Sequence, residues 1–492
     1  MVRRVFFSGV GVLVALSIVV FLNATRLTPD RTPVEAVPPL SLDQDAVVDR
    51  FVSAIRIPTI SFETVEETDT AQFLALHDHF ESAYPRTHAT LTREVIGDLS
   101  LLYTWEGSDP SLDPVVLMGH LDVVPVIPGT EGDWTHDPYG GVVADGYVWG
   151  RGTMDDKISV VAILEAVELL VADGHRPRRT IHLAFGHDEE VGGPRGAGAI
   201  AALLRARGSE PYAFVLDEGG TIAEGLVPGV DGAVALVGIA EKGFVSLELH
   251  VEGPGGHSSM PPAQTNIGVL AGAIARLQAE PFPAGLDGAA REMFVTLAPH
   301  MPFLARVVMG NLWLFEPAVE FGLASDPTTA AMLRTTTAPT IIEGGVKSNV
   351  LPIVARAIVN HRIKPGETIE TVMARVVEII DDPRVRVTVS AEAQNPSRVS
   401  DPEGAAFELV ARTIRETNGE DVIVAPYLVV GGTDAKYYSD ASDAVFRFLP
   451  ARFEEDAMTR FHGTDERMGI EGYLASIRFF HQLILNSDSM GG

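Results

Sequence analysis

The chain has no cysteine among its 492 residues. This absence excludes disulfide bonds, thiolate nucleophiles and cysteine-ligated zinc. Basic residues are also scarce, since 37 Lys and Arg stand against 66 Asp and Glu and give a formal net charge of -29. Nucleic-acid binding requires basic patches, so we predict that nucleic acid is not a partner.

Nucleotide-binding loops are missing as well. The sequence has no Gly-x-x-x-x-Gly-Lys-Ser/Thr loop, and "GGPRGAGAI" lacks the third glycine of the dinucleotide-binding fingerprint. What is present is typical of a globular protein, because hydrophobic residues make up 46% of the chain and charged residues 21%. The length is sufficient for two or three domains.

The N-terminus carries one long apolar run. "VFFSGVGVLVALSIVVFL", residues 5–22, has no charge and is about as long as a minimal membrane-spanning helix. We predict an uncleaved signal anchor, a transmembrane helix over 1–24, with Arg3 and Arg4 on the cytoplasmic side and the rest of the chain extracytoplasmic. If the segment is instead cleaved as a signal peptide, the protein is secreted. An extended tether rich in Pro, Thr and Asp follows over 25–42.

The remaining sequence predicts two kinds of structure. Over 43–242, and again over 393–492, apolar runs such as "PVVLMGHL" and "TIHLAFGH" alternate with helical patterns such as "DDKISVVAILEAVELLVADG". This alternation predicts an α/β catalytic domain with a central, mostly parallel sheet flanked by helices. Between these parts, strand-like alternation and an amphipathic helical pattern over 243–392 indicate a smaller α+β domain that interrupts the first. Its apolar, poorly periodic segment 281–338 indicates a helical insertion or an exposed docking surface.

Acidic residues and histidines follow several of the apolar runs, flanked by glycine. In open α/β sheets, ligand sites gather at the carboxyl ends of strands. A single acid at such a position is usually a cap or a turn former, whereas five mixed clusters indicate a site. The clusters are His120 and Asp122 in "GHLDVVP", Asp155 and Asp156 in "GRGTMDDK", Glu189 and Glu190 in "GHDEEVGG", Asp217 and Glu218 in "LDEGG", and His462 in "HGTDE".

This set of side chains predicts a metal site. Carboxylates brought together without a counter-charge repel one another and raise each other's pKa, and a divalent cation removes that repulsion. Imidazole and carboxylate ligands without thiolate suit zinc, cobalt or manganese. Two histidines with three carboxylates can hold two metal ions if one carboxylate bridges them.

In order and spacing, these motifs resemble those of the di-zinc exopeptidase family of aminoacylase, glutamate carboxypeptidase and succinyl-diaminopimelate desuccinylase. "EKGFVSLELHVEGPGGHSSMPP", "GGVKSNVLPIVARAIVNHRIKPGET" and "GGTDAKYY" narrow the resemblance to the branch of carboxypeptidase S and the secreted N-fatty-acyl-amino-acid hydrolase. The resemblance covers about residues 43–485. It implies two divalent metal ions, with zinc preferred and cobalt or manganese as alternatives.

The resemblance also implies roles for the clustered residues. His120 would bind one metal and His462 the other, with Asp155 bridging the two. Glu190 would complete the His462 metal, and Asp217 the His120 metal. Some relatives use the second acid of "LDEGG", so Glu218 stays open as the alternative to Asp217.

Two further residues would act on the reaction without binding metal. Glu189 would be the general base that takes a proton from the attacking water and passes it to the leaving nitrogen. Asp122 would hydrogen-bond the far nitrogen of His120 and fix its tautomer. The family pattern Asp-x-Lys makes Asp156 a neighbour of the bridging residue rather than the bridge itself.

The interrupting domain would be the lid of this family and would supply substrate contacts. By resemblance, His257 in "GGHSS" and Asn349 in "KSNVLP" would stabilise the oxyanion. Arg362 in "NHRIKPG" would hold the terminal carboxylate of the substrate, a group that guanidinium binds in bidentate fashion. Gly432 and Thr433 in "GGTDAKYY" would line the same end of the substrate. The resemblance also implies that a homodimer can form through the lid.

We therefore expect a di-metal hydrolase that cleaves an amide bond next to a free C-terminal amino acid. Its substrate would be a small peptide, as for a carboxypeptidase, or an N-acyl-amino acid, as for an aminoacylase-like amidohydrolase. The alternative is a non-catalytic metal-binding or scaffold protein on the same fold. Degenerate relatives of that kind lose metal ligands, whereas every expected ligand and the base are present in this chain.

Overall fold

The computed structural model describes residues 2–29, 34, 37–227, 229–453 and 456–491. The predicted tether over 25–42 lies partly outside these ranges, and its described part beyond the first helix forms neither helix nor strand. The helices are α1 (Val2–Arg26), α2 (Gln44–Ile55), α3 (Thr70–Ala83), α4 (Pro85–Thr90), α5 (Lys157–Ala172), α6 (Ala197–Ala206), α7 (Asn266–Ala279), α8 (Gly288–Leu297), α9 (Phe303–Met309), α10 (Leu312–Leu323), α11 (Pro327–Leu333), α12 (Ile369–Ile380), α13 (Ala405–Asn418), α14 (Ala457–Arg460) and α15 (Ile470–Ser487).

The strands of the same ranges form four sheets. They are β1 (Thr92–Ile96), β2 (Ser100–Trp105), β3 (Val115–His120), β4 (Val142–Ala144), β5 (Tyr147–Trp149), β6 (Ile181–Gly186), β7 (Phe214–Asp217), β8 (Ile222–Glu224), β9 (Ala233–Glu241), β10 (Gly243–Glu252), β11 (Gly256–His257), β12 (Thr336–Gly344), β13 (Val350–Leu351), β14 (Val354–Ile363), β15 (Val385–Gln394), β16 (Ile423–Val429), β17 (Val445–Arg447), β18 (Arg452–Phe453) and β19 (Arg467–Gly469).

The largest sheet has the order β1-β2-β6-β3-β7-β17-β9-β8-β18, with β16 added beside β9. Pairing is parallel through its centre, from β6 across β3 and β7 to β17. It is antiparallel between β1, β2 and β6, and again where β9 meets β17 and β8. The expected α/β sheet is confirmed, and it is mixed outside its parallel centre.

The centre of this sheet is buried because its strands are apolar on both faces. Every residue of β3 and β6 is buried, as is typical of parallel strands covered by helices on both sides. Helix α5 lies in the main core with α15 and is buried around almost its entire circumference. The helix ends at Ala172, two residues before Gly174, whose positive φ of 75° is typical of a glycine just beyond a helix C-terminus.

The second large sheet forms a separate unit between β9 and α13. Its four antiparallel strands run in the order β12-β14-β10-β15. The inward residues of β10 alternate with half-buried ones, which is the pattern of a sheet that buries one face. Helices α7 and α12 cover that face and complete a hydrophobic core of their own. We call this the four-stranded unit.

The apolar segment 281–338 forms helices α8 to α11 before the chain enters β12. Apolar residues of α8, including Met293 and Leu297, pack with Val234 of the large sheet. At the other end, the Lys242 ammonium group donates hydrogen bonds to main-chain carbonyls at the end of α11, at 2.8 and 2.9 Å. The insertion therefore contacts the large sheet although both of its ends join the four-stranded unit.

The prediction of a membrane-spanning helix over 1–24 is wrong. Within the described ranges, no helix joins the length to the apolar content that a membrane crossing requires. The C-terminal part of α1 contacts protein instead. The Asn23 amide donates to the Asn311 side chain at 2.9 Å, and the rings of Phe21 and Phe303 meet edge to face, 5.7 Å apart.

A buried ion pair joins the two strands at which the large sheet changes direction. Glu241 ends β9 and Arg447 ends β17, and both side chains are fully buried. One Glu241 oxygen accepts from the Arg447 guanidinium at 3.2 Å and from the Thr433 N–H and hydroxyl at 3.1 and 2.9 Å. The pair therefore also fixes the loop that follows β16.

We predict that Arg447→Leu strongly destabilises the protein. The substitution leaves the Glu241 carboxylate buried without its cation, and breaking one side of such a pair costs about 3–5 kcal/mol. Scanning calorimetry would show a lower unfolding midpoint. The control is Arg356→Leu, because Arg356 pairs with Glu343 on an exposed surface. Equal midpoints for the two variants would contradict the prediction.

Candidate metal centre

Two histidines distant in sequence meet at one carboxylate. His120 is the last residue of β3 and is buried, whereas His462 lies in the loop between α14 and β19. The Nε2 atom of His120 lies 3.0 Å from one oxygen of Asp155, and the Nε2 atom of His462 lies 2.9 Å from the other. Asp155 therefore connects the two imidazoles, with one oxygen for each ring.

Each imidazole also has a carboxylate neighbour of its own. Glu218 Oε1 lies 3.4 Å from His120 Nε2, and Glu190 Oε2 lies 3.3 Å from His462 Nε2. The centre thus consists of two halves with the same kinds of side chain, one histidine and one glutamate each, and they share Asp155. Carboxylate and imidazole atoms converge closely enough to hold a cation in two overlapping sets, one with His120, Asp155 and Glu190 and one with His120, Asp156 and Glu218.

The parallel centre of the sheet explains why these residues meet. Strands β6, β3 and β7 are neighbours that run in the same direction, so their carboxyl ends lie at one edge. His120 ends β3, Glu190 follows β6, and Glu218 follows β7. Asp155 comes from the loop that leads into α5, directly behind this edge.

The structure brings Glu218, and not Asp217, to His120. The Asp217 side chain is buried, and both of its oxygens accept main-chain hydrogen bonds. The donors are the N–H of Glu218 at 3.0 Å and the N–H of Ala435 at 2.6 Å. Asp217 is therefore placed to hold the loop that carries Glu218 against the loop that follows β16.

Asp122 contacts both the histidine and the loop of paired glutamates. His120 Nδ1 lies 2.9 Å from the Asp122 carbonyl oxygen and 3.3 Å from its carboxylate, so Nε2 is directed to the centre. The Asp122 carboxylate accepts from the N–H groups of Glu189 and Glu190, both at 3.1 Å, and from the Ser61 hydroxyl at 2.6 Å. Burial opposes ionisation, but the hydrogen bond and charge of His120 keep the pKa of Asp122 below its usual value.

The centre has more negative charge than its own side chains can neutralise. Burial raises the pKa of Glu218 well above its usual value, and the charges of Asp155 and Asp156 add to the effect. Burial and Asp155 likewise raise the pKa of Glu190. Among the described residues, buried oxygens of Glu190 and Asp156 have no hydrogen-bond donor. Divalent cations would supply the missing charge, and the oxygen and nitrogen donors fit zinc, cobalt or manganese.

The predicted substrate residues fall into three places. His257 on β11 and Asn349 beside β13 are exposed and adjacent, since the Asn349 carbonyl accepts from the N–H that follows His257 at 3.1 Å. Arg362 on β14 lies over the Phe244 ring at 5.7 Å, and burial lowers its pKa. Thr433 is buried on the Glu241–Arg447 pair, and Gly432 beside it is exposed. In the described part of the chain, no hydrogen bond or ion pair joins these five residues to the two histidines.

Three buried polar residues beside the centre were missed at the sequence level. Arg151 and Glu466 form an ion pair between the Asp155 loop and the His462 loop. Asp434 is buried close to the main chain of Gly193, and neither of its oxygens has a hydrogen-bond donor within the described ranges. All three lie inside motifs that the sequence shows, so an acid or a base within "GRGTMDDK", "HGTDE" and "GGTDAKYY" was the available signal.

The model of peptidase family M20/M25/M40 matches residues 116–486. The chain belongs to this family. It is 38% identical over 487 residues to a probable carboxypeptidase S-like 2 of Dictyostelium discoideum, covering 97% of this chain and 93% of the relative. It is also 38% identical over 448 residues to the human N-fatty-acyl-amino acid synthase/hydrolase PM20D1, covering 90% of this chain and 88% of the relative.

The fold agrees with this assignment. An M20 family metallo-carboxypeptidase from Sulfolobus solfataricus superimposes with a TM-score of 0.67 at 14% identity, covering 90% of this chain and 99% of the other. The expected family resemblance is confirmed, and this M20 protein is a hydrolase of the metallopeptidase class. The alternative of a non-catalytic scaffold is not favoured, because the histidines and carboxylates converge with intact geometry.

We predict that Glu218→Gln lowers the metal content of this M20 protein from two ions towards one per chain. The substitution removes the carboxylate charge beside His120. The control is Asp217→Asn, which leaves the Glu218 charge in place and should retain both ions. Elemental analysis of the purified, metal-loaded variants measures the difference. Loss of metal in Asp217→Asn but not in Glu218→Gln would reverse the assignment.

Proposed function

We propose that this protein hydrolyses the amide bond next to a free C-terminal amino acid with two divalent metal ions, zinc by preference. The observation that supports this most strongly is the position of Asp155 between His120 and His462, at 3.0 and 2.9 Å. One shared carboxylate between two imidazoles, each with a further acid, is the ligand pattern of a two-metal hydrolase.

The proposed ligands divide between the two ions. His120 and Glu218 would hold one, His462 and Glu190 the other, and Asp155 both. When bound, such ions polarise a carbonyl oxygen and lower the pKa of water. Asp122 would orient His120 and, through the main-chain N–H groups that it accepts from, the loop that carries Glu190.

Glu189 is the proposed general base. Its N–H is held by the Asp122 carboxylate at 3.1 Å, next to Glu190 in the same loop. Burial and the nearby Glu218 raise its pKa well above the usual value, although His120 acts in the opposite direction. A carboxylate in that position can accept a proton from the attacking water and transfer it to the leaving nitrogen.

The proposed substrates are small peptides with a free C-terminus or N-acyl-amino acids. The names of the two curated relatives support both classes, since one is a probable carboxypeptidase S-like protein and the other an N-fatty-acyl-amino acid synthase/hydrolase. Arg362 is the proposed partner of the substrate carboxylate, with Gly432 and Thr433 lining that end. His257 and Asn349 are the proposed oxyanion contacts, supported by their adjacency, with His257 on β11 and Asn349 directly before β13.

We predict that Glu189→Gln retains both metal ions and lowers kcat by about 10²–10⁴-fold, the usual contribution of a positioned general base. Turnover of a dipeptide or an N-acyl-amino acid and the metal content of the same sample are measured together. The control is Glu66→Gln, because Glu66 is exposed on a short turn. Normal turnover in Glu189→Gln would exclude this mechanism.

We predict that Arg362→Lys raises KM for substrates with a free carboxylate, because a lysine loses the bidentate contact. A charge-assisted hydrogen bond contributes about 1.5–3 kcal/mol, which corresponds to roughly 10–100-fold in kcat/KM. Steady-state kinetics on a substrate and its C-terminal amide measure the effect, which should be small for the amide. Arg356→Lys is the control, since Arg356 lies exposed on the same strand. Equal loss for acid and amide would disprove this role.

A further inference from the structure

The two histidines of the metal centre are supported unequally. His120 is buried at the end of a central strand, with only 1% of its side chain exposed. His462 has 54% of its side chain exposed and lies in a loop, with a positive φ of 56°. A residue other than glycine adopts that backbone region rarely. Contacts outside the imidazole must therefore hold His462 in position.

Glu466 supplies one set of these contacts. It lies in the same loop, four residues after His462, and is fully buried. One oxygen accepts from the N–H groups of Gly152 and Met154 at 2.9 and 2.8 Å. The loop that carries Asp155 is thereby bound, through its main chain, to the loop that carries His462.

Arg151 supplies the reciprocal set. Its guanidinium donates to the second Glu466 oxygen at 2.5 Å and to the Gly463 carbonyl at 3.0 Å. The adjacent Gly150 N–H donates to the Glu466 carbonyl at 2.9 Å. Each loop thus sends one charged side chain to the main chain of the other. We call this pair the Arg151–Glu466 clamp.

We propose that the Arg151–Glu466 clamp is a positioning device that sets His462 against Asp155, and so determines how tightly the centre holds its second metal ion. This inference rests on the ligands assigned in the proposed function. His120 ends β3 and Glu218 follows β7, so these two ligands are held by strand ends, and the clamp reaches the ion at His120 only through the shared Asp155. Loosening the clamp weakens the ion at His462 and Glu190 selectively.

The chain offers a matched control for a merely structural ion pair. Arg50 on α2 donates to both Glu165 oxygens on α5, at 2.6 and 2.7 Å, and only 1% of the Glu165 side chain is exposed. Within the described ranges, the side-chain hydrogen bonds of these two residues join them to each other and to Tyr84, and not to the loops of the metal centre. Glu165→Gln therefore loses a comparable buried charge without releasing His462.

The test is a stepwise Co²⁺ titration of the metal-stripped full chain, followed by visible absorption and calorimetry. The variants are Glu466→Gln, the double variant Glu466→Gln/Arg151→Met, which leaves no unpaired buried charge, and Glu165→Gln. In both clamp variants, the first equivalent should bind as in the unaltered protein. The second should bind roughly 10–100-fold more weakly, the size usual for groups that orient metal ligands. Saturating Co²⁺ should restore most of kcat.

Three results would overturn proposals. Two equally tight equivalents in the unaltered protein and in both clamp variants would disprove the role of the clamp and leave the proposed function intact. If Glu165→Gln weakens binding of the second Co²⁺ equivalent as much as the clamp variants do, the clamp contributes only to the general stability of the fold, and its positioning role is disproved. No Co²⁺ uptake by the unaltered protein would disprove the proposed function, and with it the clamp as a device for metal binding.

Discussion

Negative charges confined to a small buried volume repel one another. At the edge of the large sheet that carries the metal centre, histidines and hydrogen bonds hold several carboxylates together in spite of this repulsion. Asp155, Glu190 and Glu218 each lie within 3.4 Å of an imidazole, either that of His120 at the end of β3 or that of His462 in the loop before β19. Of these three acids, only Asp155 gains enough from the histidines to keep its pKa below the usual value. The surrounding hydrogen bonds hold the acids together at a cost that bound cations would relieve.

Much of this fold can be predicted from the sequence because its central elements are apolar on every side. The runs around β3, β6 and β7 have no other stable position than the middle of a covered sheet. A polar residue at the end of such a run, or in the loop that follows it, must then lie near the sheet edge, so the pattern predicts this position for His120 and Glu190. His462 is far from those runs in the sequence, and its place at the centre is predicted from the resemblance of the whole motif set, which includes "HGTDE", to a known family.

The remainder depends on details that a one-dimensional pattern does not contain. Successive residues at a strand end point to opposite sides, so the choice between Asp217 and Glu218 follows from which neighbour each one meets. The contact of the Glu466 carboxylate with the main chain of Gly152 joins loops more than 300 residues apart. The N-terminal apolar run was predicted to be a membrane anchor from its length and lack of charge. Its contact with the insertion, through Asn23 and Asn311, joins distant parts of the sequence and leaves no pattern in the run itself.

The insertion formed by α8 to α11 gives the molecule a second mechanical connection. Its helices pack on the large sheet, yet the chain enters and leaves them through the four-stranded unit. Lys242, at the crossing between the two sheets, is bonded to the end of the same insertion. A rotation of the four-stranded unit relative to the large sheet would have to disrupt the apolar contact of the insertion as well as bend the chain segments that connect the two. The angle between them is thus fixed by the packing of the insertion on the large sheet in addition to the chain crossings, so the insertion acts as a brace across the junction.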